Sequence, residues 1–410
     1  MPTKNVNEAF MLEKINEYVA QVNPDDRNWF GTLENLESFI FQNIEEDERD
    51  IQIKINFFEK SIEDMKKKLS SSLSKFQEIH MEMRMAQCFE KFGAWDKALS
   101  AYQKILILCR ADVFALLKSE AIRYMGHIYL MRNQWEKAFD SYQISWKLCQ
   151  AKGDQEGEAY AYSSIGIVNF EQGKYSLASK YWEKGLELAE RLNETKLIAQ
   201  INNNLGAMTS ILGNWGKALT YYEKSASLFE RSGEYRGLAE TYHNMAMTYA
   251  DAERWSASSR YYEKSCEIAK EIGDVRLQAM VKLNRVELYI SIGDYCVGLA
   301  LCNQALLTFQ QLNDHLGEAE TYKFLGILYA KKGEWYSAGT YFNDSIYLAK
   351  KHNSPLLQGE AHFENGKMQK QNGNTGEANK HFKVALTLFE RLQAKKDIEK
   401  VKRELTSIEP

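Results

Sequence analysis

The residue types that carry out catalysis are present in this 410-residue chain, but their spacing fits no catalytic site. None of the seven histidines falls in an HExxH metal-binding motif, and neither a GxxxxGK[ST] phosphate loop nor a GxSxG nucleophile motif occurs. The four carboxylates at 45–48 are consecutive, so they do not converge on one reacting atom as an acid–base pair does. The sequence therefore predicts a protein that is not an enzyme and that has no metal or cofactor site.

Three asparagines have a spacing that suits a different chemistry. Asn204, Asn244 and Asn284 follow one another at intervals of 40 residues. A carboxamide carries hydrogen-bond donors and an acceptor, so a row of them can pair with the N–H and C=O groups of an extended peptide whatever its side chains. The alternative is that each amide bonds the backbone of the neighbouring part of the same chain. We expect the binding role.

The 40-residue interval runs through most of the chain and indicates which elements position these asparagines. Except at Val286 and Thr375, each step has a small residue that is followed nine positions later by an aromatic residue and twelve positions later by a second small residue. The first small-residue column is Ala86, Gly126, Gly166, Gly206, Ala246, Val286, Gly326 and Gly366, and the aromatic column is Trp95, Trp135, Tyr175, Trp215, Trp255, Tyr295 and Trp335, ending in Thr375. Self-similarity at such a period is typical of a solenoid.

Each copy of the pattern predicts a pair of amphipathic helices. In the copy around Gly206, Leu205 and Met208 recur at helical spacing, and Gly213 ends the first helix. Ala218 and Tyr222 then share one face of a second helix. Two short helices bury too little surface alone, so each pair must pack on the next. We expect the small residues to let facing backbones approach closely and the aromatic column to fill the wedge between successive pairs.

These columns resemble the tetratricopeptide repeat family. The match consists of NLG ending at Gly206, Gly213, Trp215, Ala218 and Tyr222, and again of FLG ending at Gly326, Gly333, Trp335, Ala338 and Phe342. Each copy is about six residues longer than the usual family repeat, which is similar to kinesin light chains and Leu-Gly-Asn-type spindle adaptors. The resemblance implies an all-α, right-handed superhelical solenoid of eight helix-turn-helix repeats over residues 76–392, with a concave groove lined by the first helices.

The resemblance also implies which residues face that groove. The predicted peptide-binding set is Arg84, Arg123, Tyr124, Asn203, Asn204, His243, Asn244, Asn284 and Lys323. The clamp by which some family members hold a terminal carboxylate does not map here, because Arg123 is followed four residues later by His127 and Lys323 by Ile327. Arg84, Arg123 and His127 make the N-terminal part of the groove the more basic one, which predicts an acidic feature in that half of a ligand.

Both ends of the chain lie outside the repeat. Residues 1–75 predict helices at 6–22, 33–44 and 48–69, which form either a cap on the solenoid or an effector module. Residues 393–410 predict a C-terminal capping helix, with a docking helix for a partner as the alternative.

Composition limits the classes of partner and the cellular compartments that fit this chain. The net charge is −4, and no excess of positive charge favours nucleic acid. The six cysteines have no paired or metal-like spacing, which is typical of a reducing compartment. With no apolar signal segment and no long apolar run, we expect a cytoplasmic protein that does not associate with a membrane. The predicted function is a scaffold or adaptor that binds a protein or peptide ligand; the alternative is a peptide-sensing regulatory subunit whose N-terminal helical bundle is the output.

Overall fold

The residues described by the computed structural model are 74–91, 94–132, 134–392 and 394–408, with isolated positions between 56 and 67. Within them the chain is helical and contains no strand. It divides into two compact units, Met1–Ala121 and Ile122–Pro410. The helices predicted at 6–22 and 33–44 lie outside the described residues, as does most of the one at 48–69.

The helices follow one another with short turns between them. In the first unit they are α1 (Lys75–Lys91) and α2 (Trp95–Leu108), then a 3₁₀ turn (Asp112–Phe114), and α3 (Ala115–Met131) contains the boundary between the units. The second unit continues with α4 (Trp135–Lys152), α5 (Gln155–Glu171), α6 (Tyr175–Leu192), α7 (Thr195–Ile211), α8 (Trp215–Ser232), α9 (Tyr235–Asp251), α10 (Trp255–Glu271), α11 (Val275–Asn284), α12 (Val286–Ile292), α13 (Tyr295–Gln311), α14 (His315–Lys331), α15 (Trp335–Lys351), α16 (Pro355–Gln371), α17 (Thr375–Arg391) and α18 (Lys395–Thr406). Of the helices in this described part, none is both long and apolar enough to cross a membrane.

The helix starts and turns recur at fixed points of the repeat. Asp154, Asp274 and Asp314 each accept a hydrogen bond from the backbone N–H three residues later, which satisfies one of the free donors at a helix start. Between the first and second helix the chain passes through the left-handed region, with φ of 81° at Gly213 and 57° at Glu253. These local signals set where each helix begins and ends.

The packing of the small-residue column differs from the prediction. A Cβ on Gly206 would lie 2.5 Å from Cε1 of Tyr222, so the glycine makes room for a ring of the second helix and not for a facing backbone. The second-helix column that contains Tyr222 supplies most of the fully buried rings, which are Tyr102, Tyr142, Trp182, Tyr222, Tyr262, Phe342 and Phe382, while Phe89, Phe309 and Phe389 are buried at other positions. Trp215 and Trp255, from the column expected to fill the wedge, are only partly buried. Other members of this column do pack between successive pairs, because Tyr175 and Trp335 lie against core clusters that include Met208 and Met368 of the following repeat.

One repeat departs from this pattern in a compensating way. Val286 occupies the small-residue column, and Cys302 replaces the aromatic ring that packs there in neighbouring repeats. Both are fully buried in the same core cluster, so a larger residue on the first helix is matched by a smaller one on the second. The first helix of this repeat is also interrupted at Arg285, which separates α11 from α12.

One contact in the second unit joins residues far apart in the chain. Gly173, in the turn between α5 and α6, packs so closely on the carbonyl oxygen of Leu392 that it leaves no room for a Cβ. Burial, together with the carboxylates of Glu171 and Asp397, raises the pKa of Tyr175 next to this contact. The C-terminal helix α18 packs at the same end, with Val401 fully buried beside Leu392.

Candidate functional site

The first helices of successive repeats in the second unit lie side by side. They are α5, α7, α9, α11 with α12, α14 and α16. Side chains 37 to 41 residues apart join neighbouring first helices, as the pairs Asn244 with Asn203, Asn284 with His243, and Lys323 with Glu360. Because these helices touch one another along the curve of the stack, we call the side they form the inner face.

Three of the predicted asparagines form a half-exposed amide row on this face. Asn244 Nδ2 donates to Asn203 Oδ1 at 3.2 Å, and this hydrogen bond joins two neighbouring repeats. Both side chains are half-buried and keep hydrogen-bonding groups to spare, since each amide has two donors and one acceptor with two lone pairs. Asn204 is also half-buried, and its amide makes no hydrogen bond with the part of the chain that the structure describes. None of the three bonds the backbone of the adjacent repeat.

Asn284 and His243 lie deeper than this row. They are 9% and 4% exposed, and Asn284 Nδ2 is 3.1 Å from His243 Nε2. Burial lowers the pKa of His243 to about 4, so its ring is neutral. Because the amide nitrogen can only donate, Nε2 accepts and the proton sits on Nδ1, which is buried without a partner among the described residues. Asn284 is therefore buried against His243, the residue before Asn244, and is not part of the half-exposed amide row.

Lys323 is held by carboxylates. Its Nζ lies 2.5 Å from Glu360 Oε2, although the lysine is only 8% exposed. Burial lowers the pKa of Lys323, but the charges of Glu360 and Glu320 outweigh that effect and raise it overall. The lysine is thus charged and already paired.

The basic residues predicted in the N-terminal part of the groove have different surroundings in the structure. Arg123 stacks between two rings, with Cζ 4.8 Å from the ring centre of Tyr124 and 4.9 Å from that of Tyr160. Burial raises the pKa of Tyr160 to about 12. His127 is half-buried in the same unit, whereas Arg84 belongs to the first unit. The structure thus brings Arg123 of α3 onto the ring of Tyr160 on α5, the neighbouring first helix.

Sequence reasoning missed two groups, the carboxylate of Glu320 on this face and the hydroxyl of Tyr262 in the core behind it. The signal for the first was available, because Glu320 and Glu360 are 40 residues apart on the first helices. No signal marks Tyr262, which is 1% exposed and looks like the other core rings. Among the described residues no group of three or more histidine, cysteine or acidic side chains could hold a metal ion.

The described helices thus form a helical-repeat solenoid, and a row of polar side chains lines its inner face. Residues 197–271 match the tetratricopeptide repeat family. A comparison with curated protein sequences finds no match.

Several solved structures share the fold. The chain is similar to a Rap protein complexed with competence and sporulation factor, at 12% identity over 100% of both chains with a TM-score of 0.57. It is similar to the Rap conjugation gene regulator of plasmid pLS20 in complex with the Phr* peptide, at 15% identity over 84% of this chain and 95% of that one, with a TM-score of 0.58. Aspartyl phosphate phosphatase F from Bacillus subtilis matches at 12% identity over 94% and 96%, with a TM-score of 0.55. The predicted all-α repeat solenoid is confirmed.

Proposed function

We propose that the inner face of the second unit binds an extended peptide, either free or as a segment of a partner protein. The observation that carries the proposal is the amide row of Asn203, Asn204 and Asn244, whose half-exposed carboxamides retain unused donors and acceptors. A peptide backbone presents one N–H and one C=O at nearly every residue, and these amides can satisfy both.

The dimensions of the row fit a short peptide. Packed helices lie about 8–10 Å apart, and an extended chain advances about 3.3–3.6 Å per residue. One repeat therefore corresponds to about three peptide residues. The stretch from Asn204 to Lys323 crosses four repeats, so a segment of about six to ten residues would lie along it.

One similar structure supports a peptide as the ligand class, because it is described as a complex with the Phr* peptide. The 40-residue repeat, similar to that of kinesin light chains and Leu-Gly-Asn-type adaptors, favours a segment of a larger protein instead. The role is proposed to be non-catalytic. Since aspartyl phosphate phosphatase F shares the fold, dephosphorylation of an aspartyl phosphate by this chain would contradict that part of the proposal.

The test is the paired substitution Asn204→Ala and Asn244→Ala in the full chain. If each amide contributes two hydrogen bonds of about 0.5–1 kcal/mol, the loss is about 2–4 kcal/mol, or a 30- to 1,000-fold weaker complex. Asn303→Ala is the matched control, because Asn303 is an exposed asparagine on the second helix α13. Proteins and peptides captured from a cell lysate are identified by mass spectrometry. Equal capture by both variants would overturn the proposal.

The second candidate, a peptide-sensing regulatory subunit, is favoured by the gene regulator among the similar structures. A sensor would bind a short free peptide and change the protease sensitivity of residues 1–75. An adaptor would retain large proteins and leave that sensitivity unchanged.

A further inference from the structure

A group of carboxylates lies on the inner face beyond the amide row. We call it the acidic pocket, and it consists of Asp251, Glu287, Glu320 and the Lys323–Glu360 ion pair. The charges of Glu360, Glu320 and Glu287 act on the ammonium group of Lys323, which is committed to Glu360 at 2.5 Å. Glu287 and Glu320 make no hydrogen bond or ion pair with any residue that the structure describes. Among the described residues, Glu287 and Glu320 therefore have no cation of their own.

The repeat geometry brings these carboxylates together. Contacts between residues 37 apart recur on neighbouring first helices, as for Lys323 with Glu360 and for Asn284 with Met247. The same relation sets Glu320 beside position 283, one helical turn before Glu287. The side chain of Glu287 is exposed to solvent, although the protein atoms around it raise its pKa.

A second feature, the hydroxyl of Tyr262, points to a missing ligand. This tyrosine is 1% exposed, and its Oη is buried without a hydrogen-bond partner among the described residues. In the preceding repeat, the hydroxyl of Tyr222 is satisfied by Thr248. The corresponding position here is Leu288, which offers no hydrogen bond.

By the repeat relation to Tyr222 and Thr248, the hydroxyl of Tyr262 lies near Leu288, the residue after Glu287. Burial raises the pKa of Tyr262, and the charges that raise it further are those of Glu287, Asp251 and Glu320. A buried hydroxyl without a partner is costly, so a donor placed between it and these carboxylates would satisfy both.

We propose that the acidic pocket binds a cationic side chain, arginine or lysine, of the peptide held by the amide row; this inference rests on the function proposed above. The guanidinium or ammonium group lies between Glu287 and Glu320 and donates to Tyr262 Oη. A cation also relieves the cluster itself. Burial raises the pKa of Glu287 to about 7 and raises that of Glu320, because the surrounding protein disfavours the negative charge of each carboxylate.

The test uses a library of random hexapeptides with acetylated N-termini, presented to the full chain at neutral pH. Acetylation removes the α-amino charge, so only side chains can supply the cation. We expect arginine and lysine to be enriched at one position. The best peptide is then made with arginine and with citrulline, its neutral isostere, and we expect the citrulline form to bind about 10- to 100-fold more weakly.

The variant Glu287→Gln with Glu320→Gln should bind the two peptides equally well. Tyr262→Phe should weaken the arginine peptide several-fold, because a buried hydrogen bond is lost. Glu364→Gln, which removes an inner-face carboxylate already paired with Lys367, should keep the full preference.

The outcomes separate the two ideas. If the unaltered chain recovers peptides with no cationic preference, or binds the arginine and citrulline forms equally, the acidic pocket inference is wrong and the amide row stands. If it recovers no peptide at all, the proposed function fails and this inference fails with it.

Discussion

His243 offers a direct measurement of the chemistry behind the amide row. Burial lowers the pKa of its ring to about 4, from an ordinary value of about 6.5 in the unfolded chain. The folded state therefore excludes the protonated form. The contribution of neutral His243 to the free energy of unfolding is complete above about pH 6.5 and is lost as the pH falls toward 4. Protonation would also remove the acceptor that Nε2 offers to Asn284 Nδ2 at 3.1 Å.

The size of the effect follows from the two pKa values. Between about pH 8 and pH 5, linkage predicts a loss of about 2 kcal/mol in the free energy of unfolding from this single residue. Other groups act in the opposite sense, since burial raises the pKa of Glu171 and of Glu287 to about 7. Those carboxylates favour the folded state at low pH, so the net dependence of the unaltered chain mixes both signs.

The His243→Asn variant isolates the histidine. It replaces the His243–Asn284 pair with a copy of the Asn203–Asn244 pair of the preceding repeat, so the cross-repeat hydrogen bond can be kept. Urea denaturation followed by circular dichroism is measured for both proteins from about pH 8 to pH 5. The difference between them should change by about 2 kcal/mol over that range, because the carboxylate contributions cancel. Repeat arrays can unfold in stages, so hydrogen exchange in α9 and α11 is measured alongside. Parallel pH profiles would refute the reasoning.

Two further predictions concern what holds the repeats together. Asp314→Ala should destabilise the protein by about 2–3 kcal/mol, because it removes a helix cap and leaves an arginine, Arg276, whose Nε lies 2.7 Å from the carboxylate. Asp294→Ala removes only an exposed cap and should cost about 0.5–1 kcal/mol; equal losses in urea denaturation would contradict the ion-pair argument. Gly206→Ala should cost about 1–3 kcal/mol by crowding Tyr222. The control is Gly216→Ala, because an added Cβ there would have no atom within 4 Å, and it should stabilise the helix by up to about 1 kcal/mol. If Gly206→Ala does not lower the free energy of unfolding, the packing of Gly206 on Tyr222 is wrong.

The sequence alone determines the repeat and most of what lies within one repeat. A helix start needs only a side chain such as that of Asp314 and an N–H three residues away, and a turn needs only a residue such as Gly213 that tolerates positive φ. These are local interactions, so they can be predicted from spacing. The 40-residue interval also predicts that Asn204 and Asn244 occupy equivalent positions on neighbouring first helices.

The tertiary structure decides what depends on the offset between repeats. Whether Asn284 faces a ligand or is buried on His243 turns on how far one first helix is shifted along the next. The same offset leaves the hydroxyl of Tyr262 unpaired among carboxylates, and the accumulated curvature presses Gly173 against Leu392. Sequence periodicity fixes the order of the helices, but the angle and shift between them come from how side-chain volumes fit in the core. Contacts across repeats are therefore the part that periodicity could not supply.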